Sequence, residues 1–405
     1  MITTGQPSVN PRIVKEADAL TAAGYEVLVL YCFWIDWASK ADQQLLSNVS
    51  WKYKLIGGSP ETDKSTFDFT RIRFKIMRSV TQILGNRKLV AERAQARCYD
   101  ELLTAARNSA GELFIGHNLG ALAVVVNAAK LLNARCAFDF EDYHRAENND
   151  MPAREQARIR YLEERYVPQL DFVYAASPMI AQAVKADFPA LKIPVQTLLN
   201  CFPAAQQPAF RDKDPADNKL QLFWFSQTVG ANRGLETLIA AIARMHDKNI
   251  HLTLAGKYSE AYAASLREAV GDISANIHFA GIIAPDELAS FAASFDVGLA
   301  MELNQPLNRD ICLTNKIFTC ILAGNAIILS RTEMQQSFNE QYKVGQSFAI
   351  NNVDELIKAI SFYKDQQQLY MQRKHNYELA ARELNWETES VKLIAMIKDL
   401  LPAKD

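Results

Sequence analysis

The chain has 405 residues, of which 49% are hydrophobic and 22% charged, and its net charge is -2. A chain of this length is too long to fold around one hydrophobic core, so we expect two domains of roughly 150–200 residues. The composition is that of an ordinary globular protein. The near-neutral charge without a lysine/arginine block argues against a nucleic-acid partner, and the apolar runs are shorter than the ~20 residues of a membrane-spanning helix.

The cysteine pattern and the start of the chain suggest a cytoplasmic protein. The six cysteines show no C-x-x-C spacing and mostly lie in apolar runs, which is typical of reduced core thiols. The opening MITTGQPS lacks the basic and apolar regions of a secretory signal peptide.

The N-terminal half alternates short strands with helices, which predicts parallel βαβ units. A strand stub at Ile2–Thr4 is followed by a loop, a helix at Arg12–Ala23 and a strand at Glu26–Tyr31. Further strands are predicted at Leu113–Ile115, Ala134–Phe140 and Asp171–Ala176, and further helices at Gly120–Leu132 and Met179–Lys185.

Residues 69–98 are strongly basic, with eight lysines and arginines against one acid and with apolar residues interleaved. This pattern predicts a pair of basic amphipathic helices. Such helices fit an anionic membrane surface or a lipid-linked phosphate acceptor. A solvated face that pairs with acids elsewhere explains the pattern equally well.

Two polar groups follow buried strands of this half. His117 precedes the helix that begins near Gly120, where it can donate a hydrogen bond to a ligand or simply cap the helix. Asp139, Glu141 and Asp142 form an acidic cluster, with Asp139 and Glu141 on one strand face. Two carboxylates so spaced can hold a divalent cation, but this spacing is common by chance, and we favour the binding of ligand hydroxyl groups and expect no metal.

The C-terminal half begins after a proline-rich linker at residues 200–215. A strand at Gln221–Ser226 leads into a loop with Gly230, and Arg233 stands where the helix Gly234–Met245 begins. A cation and backbone N–H groups at a helix start favour a diphosphate, although an arginine there is often only a surface residue. Strands at His251–Ala255 and Ile277–Ala280 and a helix at Pro285–Ala293 follow.

The segment Phe295–Ser330 is the most informative part of the chain. It predicts a strand at Val297–Met301, a polar loop, a helix that begins near Asn315 and is closed by Gly324, and a strand at Ala326–Ser330. The loop ends on a helix N-terminus, a favourable place for an anion. Lys316 in the first turn opposes the helix dipole, so we interpret it as facing a negative ligand or, alternatively, as a solvated lysine.

Three of these stretches together carry a family resemblance. NPRIVKEADALTAAGYEVLVLY, the loop around Arg233 and the segment NKIFTCILAGNAIILS resemble motifs of GT-B glycosyltransferases, especially the retaining family-4 type. Two positions depart from the family pattern. Thr319 replaces the second glutamate of its Glu-x7-Glu pair, which is implied to bind the donor ribose, and Gln227 replaces an arginine of the diphosphate loop. Glu302, with Asp310 eight residues later, imitates the glutamate spacing out of register.

The resemblance implies a fold class and a domain organisation. The fold is α/β of GT-B type, with two doubly wound Rossmann-like domains that face each other across a cleft and a C-terminal helix that crosses back to the N-terminal domain. The expected N-terminal, acceptor-binding domain comprises residues 1–200 and the helix at 384–405. The expected C-terminal, donor-binding domain comprises residues 201–383.

The resemblance also implies an activity. The chain is expected to move a sugar from a nucleotide-sugar donor to a glycan or lipid-linked acceptor, with retention of configuration and without a metal or a cofactor, in bacterial polysaccharide or glycoconjugate synthesis. A cytoplasmic enzyme, peripheral on the inner face of the membrane, fits this role. The predicted catalytic residues are His117, Arg233 and Lys316; the predicted donor-binding residues are Gly5, Gln227, Gly230, Arg233, Glu302, Asn315, Lys316 and Thr319; and the predicted acceptor-binding residues are Asn10, Arg12, Asp139, Glu141 and Asp142.

Two other classes of function remain open. A sugar-nucleotide epimerase of the same fold would need acid–base carboxylates and histidines around the nucleotide. A catalytically silent relative that binds a partner or a glycan is consistent with Thr319 and Gln227.

Overall fold

The computed structural model describes residues 1–214 and 216–401. The chain divides into two compact units: unit 1 is Met1–Leu199 with the segment that begins at Ser390, and unit 2 is Asn200–Glu389. Each unit contains one parallel sheet with helices packed on it, so the predicted α/β fold class is confirmed. Pro215 of the predicted linker and residues 402–405 of the predicted C-terminal helix segment lie outside the described residues.

Unit 1 is built on a seven-stranded parallel sheet with the order β3-β2-β1-β4-β5-β6-β7. The central strands β4 and β5 are buried at every position except their first, as is typical of strands inside a parallel sheet. The strands are β1 (Ile2–Thr3), β2 (Leu28–Cys32), β3 (Lys52–Ile56), β4 (Leu113–His117), β5 (Arg135–Phe140), β6 (Phe172–Ala175) and β7 (Val195–Thr197).

The helices of unit 1 begin and end where local sequence signals place them. Pro11 occupies the first turn of the first helix, and the Asn10 side chain accepts a hydrogen bond from the Ile13 N–H at 3.3 Å. The helices are α1 (Pro11–Ala22), α2 (Asp36–Leu46), α3 (Lys64–Leu84), α4 (Val90–Gln95), α5 (Tyr99–Asn108), α6 (Leu119–Leu132), α7 (Ala153–Tyr166) and α8 (Pro178–Asp187).

The predicted basic helix pair of residues 69–98 is present as α3 and α4. The longer helix α3 begins at Lys64, where Asp63 caps it by accepting a hydrogen bond from the Thr66 N–H at 3.1 Å. Within the described ranges, no helix is both long enough and apolar enough to cross a membrane.

Unit 2 is built on a six-stranded parallel sheet with the order β10-β9-β8-β11-β12-β13. Its core includes Trp224, Leu222 and Ile328, all without solvent exposure. Each large aliphatic side chain buried in this way contributes roughly 1.5–3 kcal/mol. The strands are β8 (Leu220–Thr228), β9 (Ile250–Lys257), β10 (Ile277–Gly281), β11 (Val297–Ala300), β12 (Ala326–Ser330) and β13 (Gly345–Phe348).

The helices of unit 2 include the predicted helix between β11 and β12, which begins at Asn315 and ends at Gly324 with a φ of 71°. Glycine adopts this left-handed backbone conformation most readily because it has no Cβ, which explains the stop. The helices are α9 (Leu235–Met245), α10 (Glu260–Val270), α11 (Leu288–Ala292), α12 (Leu307–Ile311), α13 (Asn315–Ala323), α14 (Glu333–Tyr342), α15 (Val353–Phe362) and α16 (Gln366–Arg382). The last helix, α17 (Trp386–Leu400), begins in unit 2 and belongs to unit 1 from Ser390 onwards.

Candidate active site

The carboxyl edge of the unit 2 sheet contains a reversal of strand order. β8 and β11 are parallel neighbours, with Val297 registered against Leu222, and the following strands are added on opposite sides of this pair. In doubly wound sheets this reversal opens a crevice beyond the strand ends, and ligands bind there. We call the two loops that follow β8 and β11, residues 229–234 and 301–314, the switch-point loops.

The first switch-point loop carries a cation without an acidic partner. Asn232 and Gly234 have φ values of 60° and 78°, a region that asparagine and glycine adopt most readily, and they fix the turn into α9. Arg233, between them, is half-buried, and no carboxylate of the described residues forms an ion pair with it. Gln227 is exposed at the end of β8 and Gly230 lies within the loop, as predicted from sequence.

Lys316 is placed differently from the sequence expectation. Its ammonium lies 2.5 Å from Glu302 Oε1, and both side chains are buried. The ammonium also lies 5.6 Å from the centre of the Trp224 ring. The lysine is therefore neutralised inside unit 2, and its partner Glu302 was predicted to bind the donor. The sequence could not show this pairing, because Glu302 belongs to the loop after β11 and Lys316 to the next helix.

The Glu302 backbone is fixed by the neighbouring strand. The Glu302 N–H donates to Ser330 Oγ at 2.7 Å, and the Ser330 hydroxyl lies at 2.7 Å from the Glu302 carbonyl oxygen. β11 and β12 are adjacent, so their carboxyl ends bring these two residues together. These hydrogen bonds thus hold the backbone of Glu302 at the start of the second switch-point loop.

The other two predicted residues of α13 differ in exposure. Asn315 is exposed at the start of the helix, and its side-chain oxygen accepts a hydrogen bond from Asn200 Nδ2 at 3.1 Å. Thr319 is 1% exposed, and its hydroxyl has no hydrogen-bond partner among the described residues. A buried hydroxyl without a partner is unfavourable by about 1–3 kcal/mol, so a ligand group that reaches Thr319 would gain a ready donor.

Arg309 is a switch-point residue that the sequence reasoning missed. It lies on the short helix α12 of the second loop, and its Nη1 donates to the Asn232 carbonyl oxygen at 3.2 Å. The available signal was an arginine in the polar stretch NQPLNRD between two buried strands. The two switch-point loops are joined by this hydrogen bond.

The predicted residues of unit 1 form a buried charge cluster, which we define as Arg12, Glu16, His117, Asp139 and Tyr174. Arg12 Nε donates to Asp139 Oδ2 at 2.6 Å and lies 3.4 Å from Glu16 Oε1. His117 Nδ1 lies 3.2 Å from Asp139 and His117 Nε2 lies 3.3 Å from Glu16. The Tyr174 hydroxyl donates to Glu16 at 2.6 Å. Strand register explains the meeting, because Asp139 is paired with His117 on one side and Tyr174 on the other.

Opposite charges lie next to each other within the cluster. Burial by itself lowers the pKa of His117, but the carboxylates of Glu16 and Asp139 outweigh it and raise the pKa to about 9. Burial would raise the pKa of Asp139, yet Arg12 and His117 hold it below its usual value. With His117 protonated, two cations face two carboxylates.

This geometry corrects the expectation that His117, Arg12 and Asp139 face a ligand. All three side chains are 0% exposed and are bound to each other or to Glu16. The physical reason is that the inward face of α1 meets the ends of β4 and β5, so the charges pair across the interior.

The remaining predicted residues of unit 1 lie around the ends of β1 and β5. Asn10 caps α1, and Gly5 follows β1, with its carbonyl oxygen accepting a hydrogen bond from the Cys32 N–H at 3.3 Å. Glu141 and Asp142 are partly exposed just after β5. Burial, together with the charge of Asp139, raises the pKa of Glu141 to about 7. Of the predicted acceptor carboxylates, Glu141 is therefore suited to exchange a proton near neutral pH.

The cluster also contains a possible metal-ligand set, since the ligand atoms of Glu16, His117 and Asp139 lie within 4.8 Å of one another. However, the Arg12 guanidinium is 2.6 Å from Asp139 Oδ2 and 3.4 Å from Glu16 Oε1. A divalent ion at the same carboxylates would be repelled by this fixed cation. The donor set therefore fits a guanidinium and an imidazolium rather than a metal.

The sequence of unit 2 matches a known family. Residues 220–364 match the sequence profile of the family described as Glycosyl transferases group 1. This stretch includes both switch-point loops. Among curated proteins, none matches the chain significantly.

The whole chain is similar in structure to several solved proteins. HepE from Anabaena, in complex with UDP and glucose, is 14% identical with a TM-score of 0.67, and the alignment covers 98% of this chain and 99% of HepE. A glycosyltransferase from Rickettsia africae is 9% identical with a TM-score of 0.66, over 100% of this chain and 99% of that chain. Sucrose-phosphate synthase from Thermosynechococcus elongatus is 14% identical with a TM-score of 0.66, and the alignment covers 100% of this chain and 99% of the synthase.

These likenesses identify the fold as that of GT-B proteins, and together with the family match they confirm the resemblance to GT-B glycosyltransferases drawn from the sequence. The assignment to family 4 stays a prediction.

Proposed function

We propose that this chain is a glycosyltransferase that takes a sugar from a nucleotide-sugar donor bound at the switch-point loops of unit 2. The observation that carries the proposal is the family match over residues 220–364, which includes the unpaired cation Arg233 at the strand-order reversal. The bound UDP and glucose of HepE, a protein of the same fold, support a nucleotide-sugar donor.

The chemistry of transfer suits these residues. As the bond between the anomeric carbon and the phosphate oxygen breaks, the leaving diphosphate gains negative charge. The Arg233 guanidinium and the free N–H groups of the first turn of α9 can stabilise that charge without rearranging. Since Lys316 is neutralised by Glu302, we assign it to holding the second switch-point loop and not to the diphosphate.

We place the acceptor on unit 1, near the end of β5. Glu141 has its pKa raised to about 7 by burial and by Asp139, so it can take a proton from an acceptor hydroxyl at neutral pH. Retention of configuration, a glycan or lipid-linked acceptor, and a role in bacterial surface polysaccharide synthesis belong to this proposal and rest on the family resemblance.

We further propose that the enzyme works in the cytoplasm, where α3 meets the anionic inner leaflet of the membrane. Its outward side carries exposed apolar residues, and Lys75 beside them forms no ion pair with a described residue. Arg73 and Arg78 are not available, because they pair with Glu101 and Glu155. The exposed apolar residues of α3 are Phe69, Ile72, Ile76, Ile83 and Leu84.

A sugar-nucleotide epimerase is the less favoured alternative. That reaction needs acid–base side chains beside the sugar, and neither residues 227–234 nor residues 301–316 contain a histidine. A silent binding protein is favoured by Thr319 and Gln227 alone.

A donor panel tests the proposal. The purified chain is incubated with UDP-sugars and GDP-sugars, with and without glycan acceptors, and nucleoside diphosphate and sugar products are measured. Release of diphosphate with transfer or hydrolysis is expected. Epimerised nucleotide sugar would favour the epimerase, binding without turnover would favour the silent relative, and absence of both binding and turnover across the panel would contradict all three.

A further inference from the structure

The diphosphate site described so far has too little positive charge. A nucleoside diphosphate carries two to three negative charges, and Arg233 supplies one positive charge. Gln227 at the end of β8 supplies none, and Lys316 is neutralised by Glu302 at 2.5 Å. A further cation at the switch-point loops is therefore needed, and the structure contains one.

Arg309 is held beside Arg233 from the opposite loop. Its Nη1 donates to the carbonyl oxygen of Asn232 at 3.2 Å, and that carbonyl belongs to the peptide bond that leads into Arg233. The two arginines thus come from the loops after β8 and β11, the neighbouring strands at the reversal of strand order.

The positive charge of Arg309 is not neutralised by protein. A carbonyl oxygen accepts a hydrogen bond without cancelling the charge, and no described carboxylate forms an ion pair with this guanidinium. The adjacent acid, Asp310, instead accepts a hydrogen bond from the Glu333 N–H at 2.9 Å. Among the described residues, Arg309 has no acceptor for its other N–H groups. The planar guanidinium therefore keeps N–H donors that can bind a ligand.

We infer that Arg309 is a second cation of the diphosphate site and that, with Arg233, it makes the chain select nucleoside diphosphates over nucleoside monophosphates. The inference rests on the proposed function, since it presupposes a nucleotide donor at these loops. Guanidinium groups bind phosphate oxygens in a bidentate manner, and two of them on separate loops can grip a two-phosphate group that one cannot span.

The test measures binding of UDP, UMP, GDP and GMP to the full chain by titration calorimetry. The variants are Arg309→Ala, Arg309→Gln and Arg309→Lys. Arg309→Gln keeps a hydrogen-bond donor for the Asn232 carbonyl but removes the charge. The matched control is Arg244→Ala on α9. The Arg244 guanidinium lies 2.6 Å from Asp354 and belongs to neither switch-point loop.

Arg309→Ala and Arg309→Gln are expected to weaken diphosphate binding roughly 10-fold to 100-fold, with monophosphate binding changed less than about 3-fold. Arg309→Lys should recover part of the loss, and Arg244→Ala should behave as wild type. Combined with Arg233→Ala, the loss should be less than the product of the two single losses, because both groups hold one ligand.

Three outcomes would overturn the inference. Arg309→Ala could bind diphosphates as wild type does, it could lose monophosphates and diphosphates equally, or Arg309→Gln could retain full affinity, which would reduce Arg309 to a support for the loop. A wild type that binds none of the four nucleotides would overturn the proposed function with it, whereas the first three outcomes concern the variants only and leave nucleotide binding by the wild type, and with it the proposed function, standing.

Discussion

The two sheets of this protein both end in charged groups, but they use them in opposite ways. In unit 1, Arg12, His117 and Asp139 at the strand ends are fully buried and bound to each other or to Glu16. In unit 2, Arg233 and Arg309 are half-buried and form no ion pair with a described residue. The same residue types therefore serve as structure in one unit and as a candidate anion site in the other.

The difference teaches how to separate a structural charge from a functional one. A buried charge must be compensated, because an uncompensated one costs several kcal/mol. Once compensated inside the protein, as in the buried charge cluster, its charge is already balanced by a neighbouring side chain. A cation that keeps its charge at a strand-order reversal remains available for an anion.

The largest expected effect is on the buried charge cluster. Asp139→Ala leaves Arg12 and His117 facing Glu16 alone, so the free energy of unfolding should fall by about 3–5 kcal/mol. Urea denaturation measures this change. As a control on the same strand, Arg135→Ala removes a half-exposed pair with Asp171 and should cost less than about 1 kcal/mol. Equal losses in the two variants would abolish the distinction between the units.

The second expected effect is a pH dependence from His117. Its pKa is about 9 in the folded chain and 6.5 in the unfolded reference, so the folded state holds the proton more tightly. The resulting stability is fully present below pH 6.5 and is lost as the pH rises through 9. Its size is on the order of 3 kcal/mol.

Urea titrations of wild type and His117→Gln between pH 6 and 10 measure this contribution. The difference between the two curves isolates the histidine from other shifted groups, such as Glu141 with its pKa of about 7. Parallel curves across that range would show that His117 is not held as an imidazolium.

The third expected effect is on ligand binding without loss of stability. Arg233→Ala should weaken binding of UDP or GDP by about 1.5–3 kcal/mol, the range of a charge-assisted hydrogen bond, while the free energy of unfolding stays within about 0.5 kcal/mol. Calorimetric titration and urea denaturation of the same preparation give both values. An unchanged nucleotide affinity, or a large loss of stability, would place Arg233 with the structural charges.

The smallest effect is expected on α3, which contains both kinds of cation. Lys75 is exposed and Arg71 lies 3.9 Å from Asp68, whereas Arg73 pairs with Glu101 at 2.5 Å. Replacing Arg71 and Lys75 by glutamine should weaken binding to anionic vesicles by roughly 1 kcal/mol for each charge, and added salt should reduce the difference.

Vesicle co-sedimentation measures this binding. Ile72→Ser with Ile76→Ser provides the apolar counterpart, since both side chains are exposed and their replacement should also reduce pelleting without affecting unfolding. If wild type does not pellet with anionic vesicles, or if all variants pellet equally, α3 is an ordinary solvated helix.

Much of the fold could be predicted because its signals are local. The predicted helix that begins at Asn315 and is closed by Gly324 is present, and so is the strand Ala326–Ser330. They could be predicted because the spacing of apolar residues, the residues at a helix start and the glycine at a helix end are all short-range features of the sequence. Strand and helix bounds elsewhere mostly shift by only a few residues. The edge strands β3 and β7 were missed because exposed, short strands lack a continuous apolar run.

The candidate site was predicted only in part. Arg233 and the loop around Gly230 could be found because a glycine-containing loop between a buried strand and a helix is a local pattern. The pairing of Lys316 was not foreseen because its partner is a carboxylate on another element, and Arg309 was missed because its contact, Asn232, is 77 residues away in sequence.

The sequence by itself determined the alternation of strands and helices and suggested two domains from the length of the chain. It also pointed to the segment Phe295–Ser330, whose loop after β11 lies at the strand-order reversal. Only the tertiary structure decided which charges are neutralised. Arg12 and Asp139 are 127 residues apart in sequence and 2.6 Å apart in the fold. Because Coulomb interactions and burial depend on distance in space, the same arginine is a core ion pair or a ligand contact according to neighbours that only folding brings together.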